Sequence, residues 1–176
     1  MNSPIQQTKD SAFKANGRFG RLSFAAWNLL LAIFILALFI LASIFFQSSE
    51  QSDSIYSGIF FFSVVIYALG IYFSFVFIIR RLHDKNQSGW LSLLVLLPIA
   101  NLILIIYLLC AKGDPSLNRY GNPRLTVGWE KVLGWIYIIC IPVTFVLGIL
   151  AAISIPAYQD YVERSKQIQI EQNHQQ

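Results

Sequence analysis

Charge is what this sequence has least of. Only 12% of its 176 residues are Asp, Glu, Lys or Arg, against roughly 25% in ordinary globular chains. The scarcity is uneven. No charged residue falls in 22–49, 54–79, 86–111 or 132–159. Stretches of that length cannot be kept in water by their own side chains, which excludes a soluble single domain. Cysteine is also scarce. Cys110 and Cys140 are the only two, and both lie inside apolar runs. They read as small buried hydrophobes, which excludes a disulfide framework. With two histidines in the chain, no spacing suggests a metal site, and no cofactor is expected.

What the chain does have is hydrophobic length. The apolar cores 22–46, 55–79, 90–110 and 132–155 hold 25, 25, 21 and 24 residues, and about 20 in a helix cross a hydrocarbon core. Lipid offers the backbone no hydrogen bonds, so these runs are expected to be helices. The expected fold is all-α, a polytopic membrane bundle of about four hydrophobic helices. The first run is too long for a signal-peptide core and reads as a retained span.

Lys and Arg set the expected orientation. The N-terminal arm carries Lys9, Lys14, Arg18 and Arg21; the first loop, 47–54, carries none, but holds Glu50 and Asp53. Arg80, Arg81 and Lys85 follow the second run, and Lys112, Arg119, Arg124 and Lys131 follow the third. Basic segments stay in the cytoplasm, which places the N-terminus inside. The third run is broken at its midpoint by Pro98 and Asn101. Its length favours a span kinked at Pro98. The charge balance favours a re-entrant hairpin, and the sequence leans that way. Phe19, Phe24, Trp27, Trp90, Trp129, Trp135, Tyr158 and Tyr161 flank the runs, where rings suit the headgroup level.

Three polar stretches punctuate the first 125 residues. GRFGRLSFAAW starts at Gly17, RRLHDKNQSGW at Arg80 and GDPSLNRYGNPR at Gly113. Arg18, Arg21, Arg80, Arg81 and Lys85 are candidate contacts for lipid phosphate, and anionic headgroups are the expected partner with no nucleic acid implied. His83 beside Asp84 suggests a proton-transfer pair, although sequence adjacency alone is weak support for one. Gly89 and Trp90 turn the chain into the third run. Asp114-Pro115 and Gly121-Asn122-Pro123 are turn chemistry, with Asn118, Arg119 and Tyr120 between them. Together these motifs resemble the bacterial inner-membrane family called domain of unknown function 805, over about 17–123. The resemblance implies a small multi-pass protein of the bacterial cytoplasmic membrane and supplies no activity.

The fourth run is similar to a different family. GILAAISIPAYQDYVERSK, from Gly148, resembles the end of the type IV pilin N-terminal helix, and Gly134 stands where a leader peptidase would cut. Trp135 and Ile139 replace the Phe and Glu of that pattern, and Pro142 is expected to interrupt the helix. Only 15 residues follow Tyr161, too few for a pilin's globular head. Gly148, Ala151 and Ala152 offer a small-residue face for close helix packing, against a pilin-like helix, a copy of itself or the protein's own bundle. The organisation expected is a basic arm (1–21), a membrane domain (22–125), a pilin-like helix (126–161) and a polar tail (162–176) that continues the helix for a few turns and then frays.

The apolar runs hold no ionisable residue for ion coupling, and about four helices leave little room for an inverted repeat. The expected function is therefore non-catalytic. It is engagement of other membrane components through helix packing and basic loops, with pilus or competence machinery as the named candidate. A small channel or transport subunit is the alternative from another class. A lipid-modifying enzyme using the Arg80–Lys85 loop is a third.

Overall fold

The computed structural model describes residues 13–47 and 53–174, so Lys9 of the basic arm and Glu50 of the first loop lie outside the described residues. Four α-helices and one 3-10 helix follow one another: α1 (Arg21–Gln47), α2 (Asp53–Asp84), the 3-10 helix Gly89–Leu96, α3 (Pro98–Cys110) and α4 (Gly128–His174). Among the described residues there is no strand beyond a single bridge between Asn118 and Gly121. The all-α reading holds. Three helices, α1, α2 and α4, are long and apolar enough to cross a membrane.

The third run, expected to be a kinked span or a re-entrant hairpin, takes the second form. Pro98 has no N–H to give and occupies the first turn of α3, where none is required. The chain before it is 3-10 helix instead of α-helix, and Leu97 between them is extended. The result is a hairpin. Its outgoing arm begins just after Asp84, and its returning arm ends where the Asp114 N–H donates to the Asp84 carbonyl at 2.8 Å. Eight residues of 3-10 helix rise about 16 Å, and thirteen of α-helix about 20 Å. Each arm thus has the depth of about one leaflet of a hydrocarbon core roughly 30 Å thick. Both ends of the run sit on one level, so it doubles back and does not cross.

The turn into the hairpin is made differently from the sequence expectation. α2 stops in a Schellman motif. Gln87 N–H bonds the Leu82 carbonyl and Asn86 N–H the His83 carbonyl, both at 3.0 Å, with Asn86 left-handed at φ 55°. Asparagine tolerates that conformation better than other non-glycine residues. Gly89 has another task. A Cβ there would stand 3.0 Å from Ile79 Cγ2, so its bareness lets the outgoing arm lie against α2.

The chain forms two compact units, Met1–Tyr137 and Ile138–Gln176. The first has a core of Phe19, Phe24, Val76, Phe77, Ile78, Leu82, Leu104 and Leu108, with Trp27 and Phe73 packed on it. Phe19 and Phe24, expected at the headgroup level, are instead core residues at 0% and 3% exposure. Here the polar neighbours of the first helix matter more than its position at a span's end. They draw the chain inward: Phe19 N–H donates to the Arg80 carbonyl at 3.0 Å, and the Phe19 carbonyl accepts from Arg81 Nη1 at 3.1 Å. The second unit is a single helix, unbroken at Pro142 and Pro156 and continuing to His174. Pro142 was expected to interrupt it. The Thr144 hydroxyl donates to the Cys140 and Ile141 carbonyls, both at 2.9 Å, while the carbonyl that Pro142 leaves without its helical donor is that of Ile138.

Candidate functional site

The last turn of α2 places Arg81 and Asp84 three residues apart on one face, and both are buried. The Asp84 carboxylate stands between two guanidinium groups. Arg18 Nε donates to Oδ1 at 3.2 Å, and Arg81 Nη1 donates to Oδ2. Neither arginine stops there. Arg18 Nη1 reaches the Ser116 carbonyl at 2.7 Å and the Gly121 carbonyl at 3.0 Å, while Nη2 donates to the Asp114 carbonyl. Arg81 Nε donates to Leu108 O at 2.8 Å, Nη1 to Phe19 O at 3.1 Å and Nη2 to Ala111 O. The last carbonyls of a helix have no partner within it and carry its negative end, and Arg81 supplies that partner for α3. A planar fork of five donors can do this; the three radial donors of lysine cannot reach the same set. Gly113 completes the packing, because a Cβ there would collide with the Asp84 carboxylate.

Asn118 joins the same cluster through the backbone. Its amide donates to the His83 carbonyl at 2.9 Å, and its oxygen accepts from Tyr120 N–H at 2.9 Å. Gly121, at φ 109°, lets Asn118 and Gly121 exchange backbone bonds across the turn. The His83 ring lies flat on Tyr120, centroids 3.7 Å apart. His83 therefore faces Tyr120 while Asp84 faces two arginines, and no bond joins the two side chains among the described contacts. Arg119 projects outward, exposed, and donates to Asn86 O at 3.2 Å. Outside the spans, Asp114 accepts from the Ser116 hydroxyl at 2.6 Å and its N–H at 3.0 Å, bonds that hold its carboxyl below the usual carboxylate range.

A second charged node was not legible as a site in the sequence. Glu130, fully buried, begins α4. Its Oε1 accepts from Trp27 Nε1 at 2.9 Å and Arg124 Nη2 at 2.7 Å. Its Oε2 accepts from Ser23 Oγ at 2.8 Å, Arg124 Nη1 at 3.1 Å and Val127 N–H at 3.1 Å. The last bond is half of a capping box, the third helical residue reaching back to the residue before the helix. That half was the available signal: a lone glutamate just ahead of a charge-free run. Beside it Gly134 is buried, and a Cβ there would come within 2.6 Å of the Leu22 carbonyl oxygen. The glycine that resembles a processing site is thus the point where α4 meets the backbone of α1.

The candidate lipid contacts fall into two sets. Arg18, Arg80 and Arg81 turn inward and are 0–1% exposed, with the Arg80 guanidinium 3.8 Å from the Phe19 ring centre. Arg21 is exposed and donates to Cys110 O at 3.3 Å. Lys85 is half-buried, donates to Lys112 O at 3.0 Å and lies 4.6 Å from the Tyr107 ring centre. Trp90 is 80% exposed. Gly148, Ala151 and Ala152 belong to the second unit, where a Cβ on Gly148 would meet nothing within 4 Å. An open groove of about 210 Å³, lined by Phe13, Trp27, Leu31, Phe34, Phe73 and Phe77 among others, is apolar. Among the described residues no group of three or more His, Cys, Asp or Glu is placed to hold a metal ion.

The residues that meet at Asp84 come from three separated motifs, and all of them fall within a single family match. The family model described as "Protein of unknown function (DUF805)" matches residues 12–122. The chain belongs to this family. Within the DUF805 match lie Arg18, Arg81, Asp84, Asn118 and Gly121, while Glu130 and α4 fall beyond it. Among curated proteins the chain is similar to the inner membrane protein YhaH of Escherichia coli K12, 45% identical over 47 residues. It is also similar to the inner membrane protein YhaI of the same strain, 41% identical over 44 residues. These matches take in 26% and 25% of this chain and 39% and 37% of the relatives, so it spans about two fifths of the length of the curated relatives it matches. No solved structure matches. With three apolar helices of spanning length, this DUF805 protein is an integral protein of the bacterial inner membrane.

Proposed function

We propose that the protein is a non-catalytic membrane component whose basic cytoplasmic face and lipid-exposed helices engage other constituents of the membrane. One observation carries this reading: the buried charges are consumed by the fold. Asp84 is matched by Arg18 and Arg81, whose remaining donors go to backbone carbonyls, and Glu130 accepts five hydrogen bonds. A reacting centre requires a nucleophile, acid or base with capacity left for substrate. His83 stacked on Tyr120, with Asp84 turned elsewhere, supports a structural part for the loop over a lipid-modifying one. The apolar groove supports neither a channel nor a carrier, because it lacks a titratable lining.

Orientation is part of the proposal. The arm, the loop after α2 and the segment before α4 are bonded to one another, so their cations share one side. Eleven of the thirteen Lys and Arg residues then fall on that side, which the positive-inside rule makes the cytoplasm. A chain that crosses three times ends opposite its start. Labelling single cysteines at positions 118 and 170, with Cys110 and Cys140 replaced by Ser, tests this. Position 118 is expected to react only after the membrane is opened, and position 170 from the outside of intact cells. The reverse pattern overturns the orientation. Pairing of α4 with a pilin-like helix rests on sequence resemblance alone; unaltered crosslinking to pilin in Gly148→Leu would remove it. Solute flux through proteoliposomes, or turnover of a phospholipid lost in His83→Ala, would overturn the non-catalytic reading.

A further inference from the structure

Three cations crowd one short piece of backbone. Arg21 donates to the Cys110 carbonyl and Lys85 to the Lys112 carbonyl, and Lys112 is itself exposed there. None of the three forms an ion pair among the described residues. The described acids of this side are engaged elsewhere: Asp84 with Arg18 and Arg81, Glu130 with Arg124, Asp114 with Ser116. Among the described residues no acid pairs with these three positive charges, which leaves them open to an external anion.

What lies next to them decides which anion. α3 presents Ile99, Leu102, Ile103 and Ile106 at 54–80% exposure. Positions 99, 103, 106 and 110 recur at helical spacing, so they form a stripe that runs from the hairpin tip to the cations. Eleven residues of helix rise about 17 Å, close to the roughly 15 Å of one hydrocarbon leaflet. A molecule with a negative head and a chain of that length matches both parts of this surface. Inorganic phosphate or a soluble nucleotide would gain nothing from the apolar stripe.

We propose that Arg21, Lys85 and Lys112, gathered where α3 leaves the membrane, bind the headgroup of an anionic phospholipid whose acyl chain lies along Ile99–Ile103–Ile106. This deepens the reading above by naming the membrane constituent engaged. It moves the phosphate contact away from Arg18, Arg80 and Arg81, whose donors the fold already uses or encloses.

The test uses the full chain reconstituted in nanodiscs that contain a photoactivatable phosphatidylglycerol or its phosphatidylcholine counterpart, with the reactive group in the acyl chain. Crosslinks are expected to concentrate on 99–110 and to favour phosphatidylglycerol. Neutralising one cation, as in R21Q, K85Q or K112Q, is expected to cut that preference about fivefold. The charge-keeping set R21K, K85R and K112R is expected to retain it. Lys131→Gln, an exposed cation elsewhere on the same side, is expected to leave it unchanged. The proposal is overturned if the triple Gln variant keeps the preference, if K131Q lowers it as much as K112Q does, or if inorganic phosphate displaces the lipid. Failure of the non-catalytic reading is read separately, as flux or turnover by the unaltered protein.

Discussion

The Asp84 and Glu130 nodes bury one carboxylate each, yet they are built on opposite plans. At Asp84 the acid is outnumbered. Two fully enclosed arginines share it and spend most of their donors on carbonyls of Phe19, Leu108, Ala111, Asp114, Ser116 and Gly121. The carboxylate is the counter-charge that allows two cations to remain in a dry place and hold four chain segments. At Glu130 the acid is the hub. Five donors converge on it, and its arginine partner keeps 21% of its side chain in contact with solvent. One plan ties loops together; the other seats one helix against another. A buried charge is costly unless paired, so the two nodes differ in what each leaves stranded when cut.

Asp84→Ala gives the largest expected effect. It strands two enclosed arginines, and a loss of about 3–5 kcal/mol is expected, measured by denaturant titration of the detergent-solubilised protein. Glu130→Gln is expected to cost about 2–3 kcal/mol. Its one carboxamide oxygen can keep Trp27 and its NH2 can donate to the Ser23 hydroxyl, while Val127 N–H loses its acceptor and Arg124 turns to water, so a loss equal to that at Asp84 would erase the contrast between the two nodes. Gly113→Ala pushes a methyl into the Asp84 carboxylate without removing any charge. About 1–3 kcal/mol is expected, as for other overpacked positions, and the loss should shrink in an Asp84→Ala background. Asn118→Ala removes one amide bridge to His83 O and the turn's own bond to Tyr120. About 1 kcal/mol is expected, with faster hydrogen exchange confined to residues near the turn.

The size of these effects was not readable beforehand, although much of the fold was. Charge-free length located all three spanning helices, because lipid imposes the same rule on every such stretch. Length alone cannot tell a crossing from a return, so it left the third run open. The charge balance pointed to the return, and the bond between Asp114 N–H and Asp84 O places its two ends together. Of the site, the motifs were visible as strings, but not the way they interlock. Arg18 and Asp84 are 66 residues apart, and the arginine's partners at Ser116 and Gly121 are backbone atoms that leave no mark in the sequence. A positive charge beside an apolar run looks the same whether it turns outward to lipid or inward to a carbonyl. Phe19 shows the same limit: its ring suits a headgroup region, yet Arg80 and Trp27 hold it in the core.

The doubled-back third run has a consequence for the bilayer itself. The hairpin enters and leaves at one level, so the acyl chains it displaces are those of a single monolayer. Spin-labelled lipid in that monolayer should be slowed against its exposed residues Ile99, Leu102 and Ile103.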